Sequence, residues 1–203
     1  MNYDRHHALN RLANLGLALA LLLATLPFGM RAYGHWSQSL ALERFTAKNS
    51  APPSPKKGGA LKPPSKTPPR KRWETSVVQI PSIGVDAVVT EGAGKWELVI
   101  GPGHLPGSAG AGGAGNCVIG AHRNLWDATF ADLPKVKPGD KVYVVTSSGR
   151  HTYVIDWVKE IRTRDKKPLR NTRDARITLV TCVIPFDPYR RWVAQGHLVE
   201  DDY

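Results

Sequence analysis

The chain has 203 residues, 41% of them hydrophobic, which is room for one ordinary domain with its own core plus an appendage. Its formal net charge of +11 is unevenly placed: residues 48–72 carry eight Lys or Arg and no acid, whereas residues 73–203 carry 16 basic against 15 acidic side chains. A nearly neutral globular part excludes nucleic acid as a partner, because phosphate neutralisation needs clustered cations on a folded surface.

In chain order, residues 1–11 form a tail that contains Arg5 and Arg11. Residues 12–30 are an uncharged, Leu/Ala-rich run of 19. As a helix rising ~1.5 Å per residue the run spans roughly 28 Å, about the hydrocarbon core of a bilayer. It is read as an uncleaved transmembrane signal anchor, because the apolar core of a cleaved secretory signal is shorter, ~7–15 residues. Arg5 and Arg11 are balanced by Arg31, Arg44 and Lys48, so charge counting leaves the orientation open. Residues 31–47 are a juxtamembrane segment that can continue the helix, with Tyr33 and Trp36 where interfacial aromatics are favoured. Residues 48–72 are a Pro/Lys/Arg-rich linker. Pro52, Pro53, Pro55, Pro63, Pro64, Pro68 and Pro69 forbid a helix and favour an extended spacer, whose cations suit anionic membrane lipid or wall polymers.

From residue 73 to the end, short β-branched runs alternate with Gly, Pro, Asn and Asp, the habit of an all-β domain. Strands are expected at 76–80, 85–89, 98–100, 117–121, 141–146, 151–158, 176–182 and 191–199. A closed barrel is expected, since closure removes the edges that so many short strands would expose. Ser147, Ser148 and Gly149 make a hairpin tip, and 129–133 suggests one helical turn before Pro134.

Two cysteines could form a disulfide, but a chain of this size with a full core needs no staple, so two free thiols are expected. Cys117 lies within an apolar stretch and reads as packed; Cys182 ends a strand-like run and reads as presented. A nucleophilic thiol needs help to ionise, from a histidine, a cation or both. Of the four histidines in the domain, His151 and His197 read as surface or edge residues and His104 as a loop anchor. His122 leaves a strand end much as Cys182 does and is the best partner on position. The Cys and His spacing does not resemble a structural zinc site, and there is no Gly-x-Ser-x-Gly elbow, so neither a metal nor a serine nucleophile is expected.

Five segments carry a resemblance: GPGHLPGS (101–108), NCVIGAHR (116–123), FADLPKVKPGD (130–140), TLVTC (178–182) and RWVAQGHLV (191–199). In this order they resemble the sortase family of cysteine transpeptidases. That resemblance implies an eight-stranded sortase barrel with short helical turns, no cofactor, and three roles: Cys182 as nucleophile, His122 as proton-transfer partner and Arg191 as electrostatic clamp. Thr181 would help to position substrate, with ordinary strand filler as the alternative. Arg190 precedes Arg191 and would face the other side of the strand; alignment of Trp192 and Val193 selects Arg191. The short 183–190 loop resembles classes E and D. The implied partners are surface proteins with a C-terminal LPXTG- or LAXTG-like sorting signal and an acceptor amine on a peptidoglycan precursor or a pilin lysine. The implied location is the outer face of the cytoplasmic membrane. A pilin-polymerising enzyme and a non-catalytic envelope-binding barrel are the alternatives.

Overall fold

The alternation of apolar side chains sets the strands. In Lys141–Thr146, Val142, Val144 and Thr146 are buried while the residues between them are not, so one face meets the core. The computed structural model describes residues 2–50, 74–94, 96–125, 128–183 and 187–202. Its strands are β1 (Ser76–Ile80), β2 (Val85–Glu91), β3 (Gly103–His104), β4 (Gly115–Gly120), β5 (Lys141–Thr146), β6 (Gly149–Arg162), β7 (Ala175–Cys182) and β8 (Arg190–Asp202). They close into a barrel in the order β1-β2-β3-β4-β7-β8-β6-β5. Neighbours are antiparallel except β2 with β3 and β4 with β7, which run parallel. Ile80, Ile119, Phe130, Leu133, Tyr153, Ile177 and Leu179 fill the interior. The buried Tyr153 hydroxyl accepts the Gly112 N–H at 2.8 Å, which satisfies its polar end.

The all-β barrel and its eight strands are as expected, with one strand exchanged. Residues 98–100 are not a strand: they belong to a one-turn helix, α2 (Glu97–Ile100), in which Leu98 N–H reaches the Gly94 carbonyl. A three-residue apolar run has no period of its own to separate strand from helix. The eighth strand is instead β3, two residues long and invisible to a pattern search. The helical turn expected at 129–133 is centred later, at Leu133–Lys135, with Pro134 inside its first turn, where a missing N–H costs nothing. His151 is fully buried rather than at the surface, its Nε2 3.3 Å from Thr146 Oγ1. It shares strand parity with the core residues Tyr153 and Ile155, which is why it faces inward. His197 is half-exposed beside Asp156, as expected.

Ahead of the barrel runs α1 (Asn2–Ser50), through the expected anchor and juxtamembrane segments and into the first residues of the expected linker. Residues 51–72 of that linker, and residue 73 after it, lie outside the described residues. Leu15, Leu17, Leu19, Leu21, Leu22 and Leu23 are all exposed, and the helix is long and apolar enough to cross a membrane. Its second half meets the barrel at β2 and α2.

β8 crosses β6 closely at Gly196, beside an irregularity in register between Ile155 and Trp157. A Cβ at 196 would run into the Val154 carbonyl and the Ile155 backbone. Gly196→Ala is therefore expected to destabilise the chain by about 1–3 kcal/mol in denaturant unfolding, the usual cost of overpacking where backbone cannot yield.

Candidate active site

Two register facts build the site. β4 and β7 are parallel, with Gly120 opposite Val180, so both strands end at one rim; continuing that register by two residues sets His122 beside Cys182. β8 then returns antiparallel to β7, with Arg191 directly opposite Cys182. Parity does the rest, because alternate residues share a face. Val118, Gly120 and His122 follow one another on β4 and its exit, Val180 and Cys182 on β7, and all five line one groove of about 340 Å³ together with Arg191. Their neighbours of the other parity, Ile119 on β4 and Leu179 on β7, go to the core.

The rim is tied down by hydrogen bonds that continue the sheet past its last rung. Ala121 N–H donates to the Val180 carbonyl at 3.2 Å. Thr181 is buried, and its hydroxyl donates to the Ala121 carbonyl at 2.9 Å, which fixes the chain one residue before His122. Beyond it, Phe130 N–H donates to the His122 carbonyl at 3.1 Å, closing the 122–130 loop on itself.

The two arginines at the start of β8 have different surroundings. Arg190 pairs with Asp187 at 2.8 Å and Glu160 at 2.9 Å, on the exposed outer side. Its hydrogen bond to Asp187 holds that carboxyl below the usual carboxylate range. Arg191 lines the groove, and its Nη1 donates to the carbonyls of Asp187 at 3.1 Å and Arg190 at 2.7 Å. The two neighbours thus lie on different faces. Residues 184–186 of the 183–190 loop lie outside the described residues.

Cys117 is 1% exposed and sits on the core face of β4. Burial pushes its thiol well above the ordinary range, and the charge of Glu91 acts in the same direction. Both cysteines are free thiols. His104 is equally buried, held by Glu91 at 2.8 Å through Nδ1 and by Ser108 at 2.7 Å and the Ala109 carbonyl at 3.0 Å at Nε2. These contacts brace the 104–109 turn, a loop anchor.

Sequence reasoning missed the groove's walls. Leu98 of α2, Leu105, and Leu169 in the connection from β6 to β7 all face it. The 163–174 connection is held by a buried polar node. Asn116 Nδ2 donates to the Pro168 carbonyl at 2.8 Å, Thr178 Oγ1 donates to Asn116 Oδ1 at 2.7 Å, and Gln195 Nε2 donates to Thr178 Oγ1 at 3.0 Å. A polar Asn at the head of an apolar run was the available signal, since a buried amide must find partners.

The Sortase domain family model matches residues 78–199, and the chain belongs to the sortase family. Sortase A of Listeria monocytogenes is 31% identical over 121 residues, 60% of this chain and 54% of the relative. Sortase A of Bacillus anthracis is 25% identical over 122 residues, 60% of this chain and 58% of the relative. The chain thus spans little more than half the length of these curated relatives. Among solved structures, a sortase D5 transpeptidase of Clostridium perfringens has a TM-score of 0.58 at 26% identity, covering 62% of this chain and 79% of that one. Sortase C-1 of Streptococcus pneumoniae has a TM-score of 0.58 at 34% identity, covering 62% and 67%.

The contrast between the cysteines has a direct readout. In the native chain, a small alkylating reagent at neutral pH is expected to modify about one thiol, and about two after denaturation, because only a thiol that can reach its thiolate form reacts. Cys182→Ala should remove the native reaction and leave the Cys117 signal visible only after unfolding; mass spectrometry locates the adduct.

Proposed function

We propose that this chain is a membrane-anchored cysteine transpeptidase that cuts a C-terminal sorting signal of the LPXTG or LAXTG kind and passes the acyl group to an envelope amine. The observation that best supports this reading is the register that sets Arg191 opposite Cys182 at the rim where β4 delivers His122. Cys182 attacks the scissile carbonyl as thiolate; a thioester forms as the C–N bond breaks, and His122 gives its proton to the leaving amine. The acceptor amine then attacks the thioester, His122 takes a proton from it, and the Cys182 thiolate leaves. Arg191 donates charge-assisted hydrogen bonds to the developing oxyanion or to the bound peptide backbone. Thr181 acts through the Ala121 carbonyl, as a positioning residue for the His122 exit.

The apolar half of α1 supports anchoring in the cytoplasmic membrane with the barrel on the outer face, where both substrates would be met. The acceptor would be an amine of a peptidoglycan precursor or a pilin lysine. The short connection from Cys182 to Arg191 favours a class D or E enzyme.

The test offers the full chain, in detergent, sorting-signal peptides and amines, with mass spectrometry for the thioacyl adduct. Adduct and amide product are expected with the native chain and neither with Cys182→Ala; product from that variant would overturn the assignment. His122→Ala should lower kcat/KM by about 10²–10⁴, and Arg191→Ala by about 10²–10³. Arg190→Ala should stay within about threefold, because exposed ion pairs contribute little.

A further inference from the structure

Gln38 lies on α1 where the helix crosses the barrel wall, and both ends of its amide are engaged by backbone of the barrel. Oε1 accepts the Val88 N–H of β2 at 3.0 Å, and Nε2 donates to the carbonyl of Ile100, the last residue of α2, at 2.7 Å. The next residue, Gly101, is buried, and a Cβ there would run into Gln38 Nε2. The missing side chain at 101 is what lets the amide reach Ile100. α2 itself is one turn long and has no side-chain cap at its start, so what holds it must come from outside. Through α2 the clamp reaches the groove, because Leu98 is one of its walls and Ala93, on the approach to α2, is another.

We infer that Gln38 is a positioning residue which couples the juxtamembrane half of α1 to the Leu98 wall, so that the peptide-binding shape of the groove depends on how α1 sits against the barrel. That the occupant is a sorting-signal peptide rests on the function proposed above. Cys182, His122 and Arg191 stand on β7, the β4 exit and β8, none of which Gln38 bonds. The clamp therefore acts on how the peptide is held and leaves the reacting groups in place.

The test uses the full chain in detergent micelles. In Gln38→Ala, amide exchange across 97–101 is expected to rise about tenfold, the mark of a local opening. KM for the peptide should rise about five- to tenfold, as fits the loss of one or two hydrogen bonds, while kcat stays within about twofold. Gln38→Glu should behave like Gln38→Ala, because a carboxylate cannot donate to the Ile100 carbonyl. Gly101→Ala should reproduce the effect, and the double variant Gln38→Ala with Gly101→Ala should be no worse than either alone, since both break one contact. Unchanged exchange at 97–101 in Gln38→Ala overturns the inference, and so does a parallel loss of kcat and kcat/KM, or additivity in the double variant. If the native chain forms no thioacyl adduct with any signal peptide, the transpeptidase reading fails, and the exchange and additivity measurements still decide the coupling.

Discussion

The site depends on one pairing, the parallel ladder between β4 and β7. Parallel strands end on the same side of a sheet, so a histidine leaving one and a cysteine closing the other are neighbours although 60 positions apart in sequence. The price is a long crossover: two strands, β5 and β6, must be built between them before β7 can return beside β4. Such a pair is also buried along most of its length, and β4 has five consecutive buried residues. The antiparallel return of β8 after a short connection then sets a cation across from the cysteine. An enzyme built on these ends inherits its geometry from sheet hydrogen bonds rather than from loops.

The same ladder explains why one thiol is available and the other is not. Cys117 and Cys182 lie on adjacent strands, but Cys117 has core parity and Cys182 groove parity. Moving β4 by one residue against β7 would exchange the two faces, exposing Cys117 and burying His122. The register is held from both ends. At one end Asn116, Thr178 and Gln195 join the three strands through side-chain bonds to one another and to the Pro168 carbonyl. At the other end Thr181 is bonded across to the Ala121 carbonyl. Both threonines of the TLVTC segment thus take part in fixing the position of its cysteine.

The pattern of the sequence marked Cys182 and His122 as positions where a strand-like run stops, since a run of β-branched residues can be seen without knowing its neighbours, whereas Arg191, at the start of a run, came only from the resemblance to the sortase family. It reached Cys117 for the same reason, since an unbroken apolar stretch implies burial on both faces. What it could not reach were contacts made by the fold alone. β3 is defined by its partners Thr90 and Gly120, and nothing in the dipeptide Gly103–His104 announces a strand. Leu98, Leu105 and Leu169 become walls of one groove only after the barrel closes. His151 was legible in principle: counting by twos from Tyr153 and Ile155 puts it inside, whereas its place after a turn suggested the surface. Gln38 is a polar residue on a helix, which normally means solvent, and only the nearby Gly101 reveals that two backbones come close there.

The pair at 190 and 191 shows how a fold assigns different work to identical side chains. Arg190 meets two carboxylates, and its field is largely cancelled close to its own position. Among the described residues, the hydrogen bonds of Arg191 run to carbonyl oxygens, which orient the guanidinium but carry no net charge. A cation oriented by neutral dipoles keeps its full charge for whatever enters the groove, and in a half-buried site that charge is screened less than at the open surface. On the function proposed above, Arg191 is therefore the arginine placed to meet an acyl group in the groove, whereas Arg190 is paired with Asp187 and Glu160 on the other face.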